Sequence, residues 1–316
     1  MKLQPCYKDY IWGGARLKRD YGKWDAPDVT AESWELSCHP DGTCTVAEGE
    51  FSGKTIQELG ELDRVSFWGR NCPEGEFPIL VKLIDAKKDL SIQVHPSDEK
   101  AVVELGERGK AEMWYIIDCQ PQSSIYFGFS REIQTEELLR RAKDGSICQV
   151  LNRVMVAPGD VFYILPGTIH AIGAGIVIAE IQQNSNTTFR VYDYQRLGSD
   201  RKTRPLHLER AAAVLNYQPI VPEECKANSC VNFDGFTMNE MFSCKYFRAY
   251  SIDIRKRIVL CCNGTSFHHL LCVQGSGQIR YNGISYALNL GQSYFMPAVL
   301  GEYCIEGACQ VLLSRV

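Results

Sequence analysis

Three side chains able to ligate a metal stand at positions 95, 112 and 170. In Ser91-Ile-Gln-Val-His95-Pro96 polar and apolar residues alternate. On a strand, residues i, i+2 and i+4 share a face. Ser91, Gln93 and His95 therefore point one way, and Ile92 and Val94 the other. Two apolar residues facing a core leave three polar groups in register on a lumen or pocket. A second strand, Glu112-Met-Trp-Tyr-Ile-Ile-Asp118, opens on a carboxylate. A third, in Pro158-Gly-Asp-Val-Phe-Tyr-Ile-Leu-Pro166-Gly-Thr-Ile-His170, ends in a Pro-Gly turn. Glycine supplies the backbone angles of such a turn, and His170 then projects back towards the pocket. Two imidazoles and a carboxylate leave coordination positions open, as in catalytic rather than structural sites. The same donor set serves non-haem iron oxygenases, so it does not fix the metal.

The elements that must position these groups are mostly strands. Short runs rich in Val, Ile, Phe and Tyr alternate with Gly, Pro, Asn and Asp clusters, a sandwich or barrel pattern. They include Ile79–Ile84, Leu90–Val94, Glu112–Asp118, Val161–Ile164 and Ile176–Ile181. Helices are expected over Asp98–Leu105, Thr135–Lys143 and Glu209–Leu215. Residues 221–239, with Pro222, Glu223 and Glu224, read as a linker. Beyond it, Asn282-Gly283 between β-formers predicts a hairpin. The 316 residues suggest two domains of roughly 150 each.

A formal net charge of -4 offers no overall positive field to nucleic acid or an anionic membrane. A phosphorylated substrate would need a local cationic pocket. Apolar stretches such as Val161–Leu165 and Ile176–Ala179 are too short to span a bilayer. The N-terminus lacks a signal-peptide run, so a cytoplasmic protein is expected. The 14 cysteines are scattered without a Cys-x-x-Cys pair, and read as buried small hydrophobes in a reducing compartment. His39, His207, His268 and His269 read as structural or surface residues. The last two are neighbours and point to opposite faces of a strand.

The spacing Gly159, Gly167, His170 resembles the second cupin motif, with Pro166 one place later than usual. Gln93-x-His95 resembles the His-x-His of the first, with Gln for one His. A second copy of the turn pattern lies in Gly291-Gln-Ser-Tyr-Phe-Met-Pro297. There Val299 stands where the motif has its second Gly, and Glu302 where it has its His. The expected fold is mainly β, two cupin-like (jelly-roll) barrels with a few short helices. Residues 1–220 would be the catalytic domain, 221–239 the linker, and 240–316 a cupin-like domain without a metal site.

Seven stretches in order resemble the short bacterial form of type I mannose-6-phosphate isomerase. They are Tyr10-Ile-Trp-Gly-Gly14, Ala31-Glu-Ser-Trp-Glu-Leu-Ser37, Phe77-Pro-Ile-Leu-Val-Lys-Leu-Ile-Asp85, Ser91-Ile-Gln-Val-His-Pro96, Gly109-Lys-Ala-Glu-Met-Trp-Tyr115, Pro166-Gly-Thr-Ile-His170 and Glu180-Ile-Gln-Gln-Asn-Ser-Asn-Thr-Thr-Phe-Arg-Val-Tyr-Asp193. They cover the first two thirds of the chain. The resemblance implies interconversion of mannose 6-phosphate and fructose 6-phosphate. It implies one Zn2+ per chain on His95, Glu112 and His170, with Gln93 as a fourth ligand. It also implies an active-site Arg190 and a Lys110 near the substrate. The helical insert of longer family members is reduced here to the region 131–145.

Isomerisation through an enediol needs a proton carrier, a stabiliser of the enediolate and a grip on phosphate. Glu180 either shuttles the proton or orients Arg190 or Lys110 through a salt bridge. Arg190 lies between Phe189 and Val191, so alternation turns it away from both. It either stabilises the enediolate or clamps phosphate, or else pairs with Asp193 or Glu180. Ser91 is placed to hydrogen-bond the phosphate, and Arg153 and Arg196 are weaker candidates. The partner is a small sugar phosphate, and the chain is a monomer or homodimer. A metal-dependent cupin oxygenase and a non-catalytic sugar-binding cupin are the alternatives.

Overall fold

The computed structural model describes residues 1–105, 108–198, 201–222 and 230–316. It is mainly β, with 45% strand and 14% helix. The strands form open sheets with edge strands rather than closed barrels, which corrects the barrel expectation. No helix among the described residues is long and apolar enough to cross a membrane.

The chain divides into two units, each discontinuous in sequence. One holds Met1–Lys8, Ala15–Leu83 and Ala227–Val316, the other Asp9–Gly14 and Ile84–Lys226. This differs from the expected sequential division at residue 220. Part of the expected linker is also strand. Cys230–Phe233 pairs antiparallel with Phe236–Ser243 through an Asp234-Gly235 turn, with Gly235 at φ +95°. Asp-Gly between β-formers is itself a hairpin signal. Residues 223–229 of that stretch lie outside the described residues.

The second unit carries the candidate site. Its five-stranded sheet runs in the order Leu151–Met155, Ser124–Phe129, His170–Ile172, Ile92–Val94, Phe189–Tyr192. One face of this sheet is apolar. Ile92, Val94, Ile169, Ala171, Phe189 and Val191 join a core cluster with Leu138, Ala142, Ala211 and Val214. The last four lie on the helices Thr135–Asp144 and Leu208–Val214. Burying that face forces Gln93, His170 and Arg190 to the other one. A second set of strands pairs Val161–Ile164 with Glu112–Cys119, and Glu112–Cys119 with Ile176–Gln183. Phe127 of the first sheet meets Phe162 of this set with ring centroids 5.9 Å apart.

In the first unit, two long strands, His268–Tyr281 and Gly301–Arg315, lie side by side. Both are long enough to pair with several neighbours in turn. The expected hairpin is present, with positive φ at both Asn282 (48°) and Gly283 (77°). The helix Asp98–Leu105 has its expected bounds, and the structure adds a helix over Ile56–Phe67. Its start carries a capping box: Thr55 accepts from the Glu58 backbone, and the Glu58 side chain accepts from the Thr55 backbone.

Candidate metal centre

His170, Gln93 and Arg190 stand in one row across three strands, because His170 pairs with Gln93 and Gln93 with Arg190. Residues directly opposite on antiparallel strands share a face. His95 follows the strand Ile92–Val94 immediately. It is held to the cupin-like turn by its carbonyl, which accepts from the Gly167 N–H at 2.9 Å. Gly167 sits at φ +89°, and a Cβ there would lie 3.0 Å from the Val214 carbonyl oxygen. The turn thus requires glycine.

From the second set of strands come Glu112 and Glu180. Glu112 pairs with Gln182 and Trp114 with Glu180, so alternation puts Glu112, Trp114, Glu180 and Gln182 on one face. His95, Glu112 and His170 are fully buried, and one ligand atom from each lies within 4.8 Å of the others. The Nε2 atoms of His95 and His170 are each 3.4 Å from a Glu112 carboxylate oxygen.

The second ring nitrogens fix the chemistry. His95 Nδ1 is 2.8 Å from the Thr187 carbonyl oxygen, and His170 Nδ1 is 2.9 Å from that of Thr168. Carbonyls only accept, so each Nδ1 carries a proton, and in the neutral ring Nε2 is then the nitrogen with the lone pair. Burial pushes the His170 pKa down to about 4, assisted by Lys110, so its imidazole is neutral. Two imidazole nitrogens and a carboxylate therefore converge, an arrangement suited to a cation. The donor set fits a divalent metal such as zinc.

Lys110 supplies positive charge beside this cluster. Its backbone N–H donates to the Pro96 carbonyl at 3.0 Å, ahead of the strand that starts at Glu112. Its buried ammonium is 2.9 Å from Glu112 Oε2, 3.3 Å from His95 Nε2 and 3.8 Å from Glu180 Oε1. Glu180 also accepts from Trp114 Nε1 at 3.1 Å. Of the two partners expected for Glu180, the contact is with Lys110.

Gln93 and Ser91 form a second pair. Ser91 Oγ donates to Gln93 Oε1 at 3.3 Å, and Gln93 Nε2 lies 3.5 Å from His170 Nε2. Ligation through Oε1 would need the amide to turn over. Arg190 gives one N–H to the Pro205 carbonyl at 2.9 Å, while its buried Nε has no partner among the described residues. Asp193, an expected partner, is instead clasped by Arg204 at 2.7 Å and by Arg196. Arg153 donates to Ser124 Oγ at 2.9 Å on an exposed edge, away from the triad's row.

Sequence patterns missed Trp114, whose ring lies 5.4 Å from that of His170, and His207, which bonds the Arg190 backbone. Trp114 was findable by alternation from Glu112. His207 carried no periodic signal, because its role depends on a contact 17 residues back in the chain.

A mainly β chain with this buried donor cluster has the character of a cupin-type enzyme. The family model described as the catalytic domain of type I phosphomannose isomerase matches residues 1–116. That described as the mannose-6-phosphate isomerase cupin domain matches residues 237–316. The Bacillus subtilis mannose-6-phosphate isomerase ManA is 36% identical, covering 99% of this chain and 98% of that protein. The Streptococcus mutans mannose-6-phosphate isomerase is 33% identical, covering 99% and 97%. A crystal structure of mannose 6-phosphate isomerase from Bacillus subtilis superposes with a TM-score of 0.92 at 35% identity, covering 100% and 99% of the two chains. The chain belongs to the type I phosphomannose isomerase family, and its enzyme class is mannose-6-phosphate isomerase. The oxygenase and non-catalytic alternatives are thereby displaced.

Proposed function

We propose that the chain interconverts mannose 6-phosphate and fructose 6-phosphate through an enediol, with one zinc ion held by His95, Glu112 and His170. The observation that carries this is the convergence of two imidazole Nε2 atoms, each with its Nδ1 on a backbone carbonyl, on a buried carboxylate. Gln93 is positioned to complete the set by turning its amide. When bound, the metal supplies Lewis acidity to the substrate's carbonyl and hydroxyl oxygens.

The chain's own residues do the rest. A base takes the proton from C2 of the open-chain aldose, and the C–H electron pair becomes the C1=C2 bond while O1 accepts a proton. Returning the proton to C1 as O2–H gives up its own leaves the carbonyl at C2. Glu180 is our carboxylate for this transfer, held between the Trp114 N–H and the Lys110 ammonium. Lys110 favours the charged carboxylates and the anionic intermediate alike. Arg190 presents N–H groups to substrate oxygen from a partly desolvated site, where such donors act strongly on developing charge. Ser91 and Lys110 complete the polar surface offered to the sugar phosphate.

The test is mannose 6-phosphate isomerisation by purified protein, before chelation, after it, and after zinc is returned. Loss and recovery support the proposal. Full activity of protein shown to hold no metal would refute it.

A further inference from the structure

Arg190 sits on an edge. Its strand, Phe189–Tyr192, is the last of the five-stranded sheet and, among the described residues, has a strand neighbour only on the Ile92–Val94 side. The backbone groups of an edge strand that face outward need partners. At Arg190 both partners come from one residue. Its N–H donates to His207 Nδ1 at 3.0 Å, and its carbonyl accepts from the His207 N–H at 2.8 Å. The side chain and main chain of His207 together imitate one rung of a ladder.

Two further contacts tie the same segment to this strand, one at Arg190 and one at Phe189. The Pro205 carbonyl accepts from the guanidinium at 2.9 Å. The His207 ring packs near Phe189, with centroids 6.4 Å apart at 62°. His207 also immediately precedes the helix Leu208–Val214, whose Ala211 and Val214 are anchored in the core. The contact fixes the protonation of the ring. A backbone N–H can only donate, so Nδ1 accepts and the proton resides on Nε2. Burial, with Arg190 and Arg210 nearby, lowers the His207 pKa and keeps that tautomer neutral.

We propose that His207 is a positioning residue for Arg190: its Nδ1 and backbone N–H hold the Arg190 main chain at the sheet edge, so that the guanidinium stays in the row with Gln93 and His170. This rests on the reading that Arg190 acts on the substrate. His207 touches none of the metal-binding side chains. Its loss therefore acts on turnover through the placement of one cation, and misplacement of about 1 Å can cost on the order of 10²-fold.

Two near-isosteric variants separate the two ring nitrogens. In His207→Asn, Oδ1 can stand in for Nδ1 and accept from the Arg190 N–H. In His207→Gln, the side-chain end takes the place of Nε2, and that N–H loses its acceptor. We expect His207→Gln to lower kcat by about 10- to 100-fold, with zinc content unchanged and KM altered far less than kcat. His207→Asn should recover most of the loss. Arg190→Ala and the double variant Arg190→Ala/His207→Gln are measured alongside. Because His207 acts through Arg190, the double variant should be no slower than Arg190→Ala alone. If Arg190→Ala keeps wild-type kcat, the role of Arg190 fails and the inference with it. If Arg190→Ala is slow while His207→Gln matches wild type, the positioning inference alone fails. It also fails if Asn and Gln variants lose kcat equally, or if their losses multiply with that of Arg190→Ala.

Discussion

Two pairs of histidines are buried in this chain, and only one pair makes a site. His95 and His170 come from different strands, each with Nδ1 held by a carbonyl and Nε2 turned on Glu112. His268 and His269 are neighbours on one strand of the first unit and diverge. His268 Nδ1 is 2.8 Å from the Tyr303 hydroxyl, and His269 has no partner for either nitrogen among the described residues. Burial lowers the pKa of His170 and His268 to about 4 and that of His269 to about 3. Desolvated imidazole is thus common to both regions. What distinguishes the candidate metal centre is convergence on a carboxylate, which only the pairing of separate strands can supply. The turn at Gly291–Pro297 teaches the same thing. Gly291 has positive φ as a turn glycine should, yet Glu302, where a ligand would stand, is exposed.

The sharpest way to break this comparison is His170→Ala. It should remove zinc and activity together, down to background, as read by metal analysis and the isomerase assay. Next in size is Glu180→Gln, expected to lower kcat by about 10²–10⁴-fold if the carboxylate carries the proton, with zinc retained. A loss of only a few-fold would favour an orienting role through Lys110. Arg190→Ala should lower kcat by about 10²–10³-fold while zinc content and Tm stay near wild type. Large destabilisation would instead mark Arg190 as structural.

How much of this was legible in the sequence depended on range. Alternation in Ser91–His95 gave the faces correctly, because Ile92 and Val94 are both core residues. Asn282-Gly283 and the helix Asp98–Leu105 were readable because their signals are local. The row His170, Gln93, Arg190 was not, since register between strands far apart in sequence leaves no local trace. For Glu180 the sequence left Arg190 and Lys110 as alternative partners, and only the fold selects Lys110, 70 residues back; the division into units was not legible either. The strand Ile79–Ala86 is divided between them after Leu83, which no composition shift announces. The Asp234-Gly235 hairpin is a local signal set in Pro- and Glu-rich surroundings, and the Thr55/Glu58 cap is a local signal in a chain whose other patterns are mostly strands.

A smaller effect concerns the second histidine pair. His268 and His269 refuse protons in the fold that they accept at about 6.5 when unfolded. Stability should therefore fall as pH is lowered from about 6.5 and level off below the folded values, by up to ~1.4 kcal/mol per pH unit for each group. Urea unfolding between pH 7 and pH 5 should show a shallower acid limb in His269→Leu than in wild type. Equal slopes would mean that His269 is not neutral and buried in solution. The smallest effect is expected from Glu302→Gln, which should leave both activity and metal content as they are.

The most direct measurement is a titration of chelated protein with zinc, following bound metal and mannose 6-phosphate isomerisation in the same samples. The account predicts that activity rises in proportion to bound zinc and stops at one equivalent per chain, in wild type and Glu302→Gln alike, with no recovery in His170→Ala. Activity that needs a second equivalent, or that returns in His170→Ala, would contradict it.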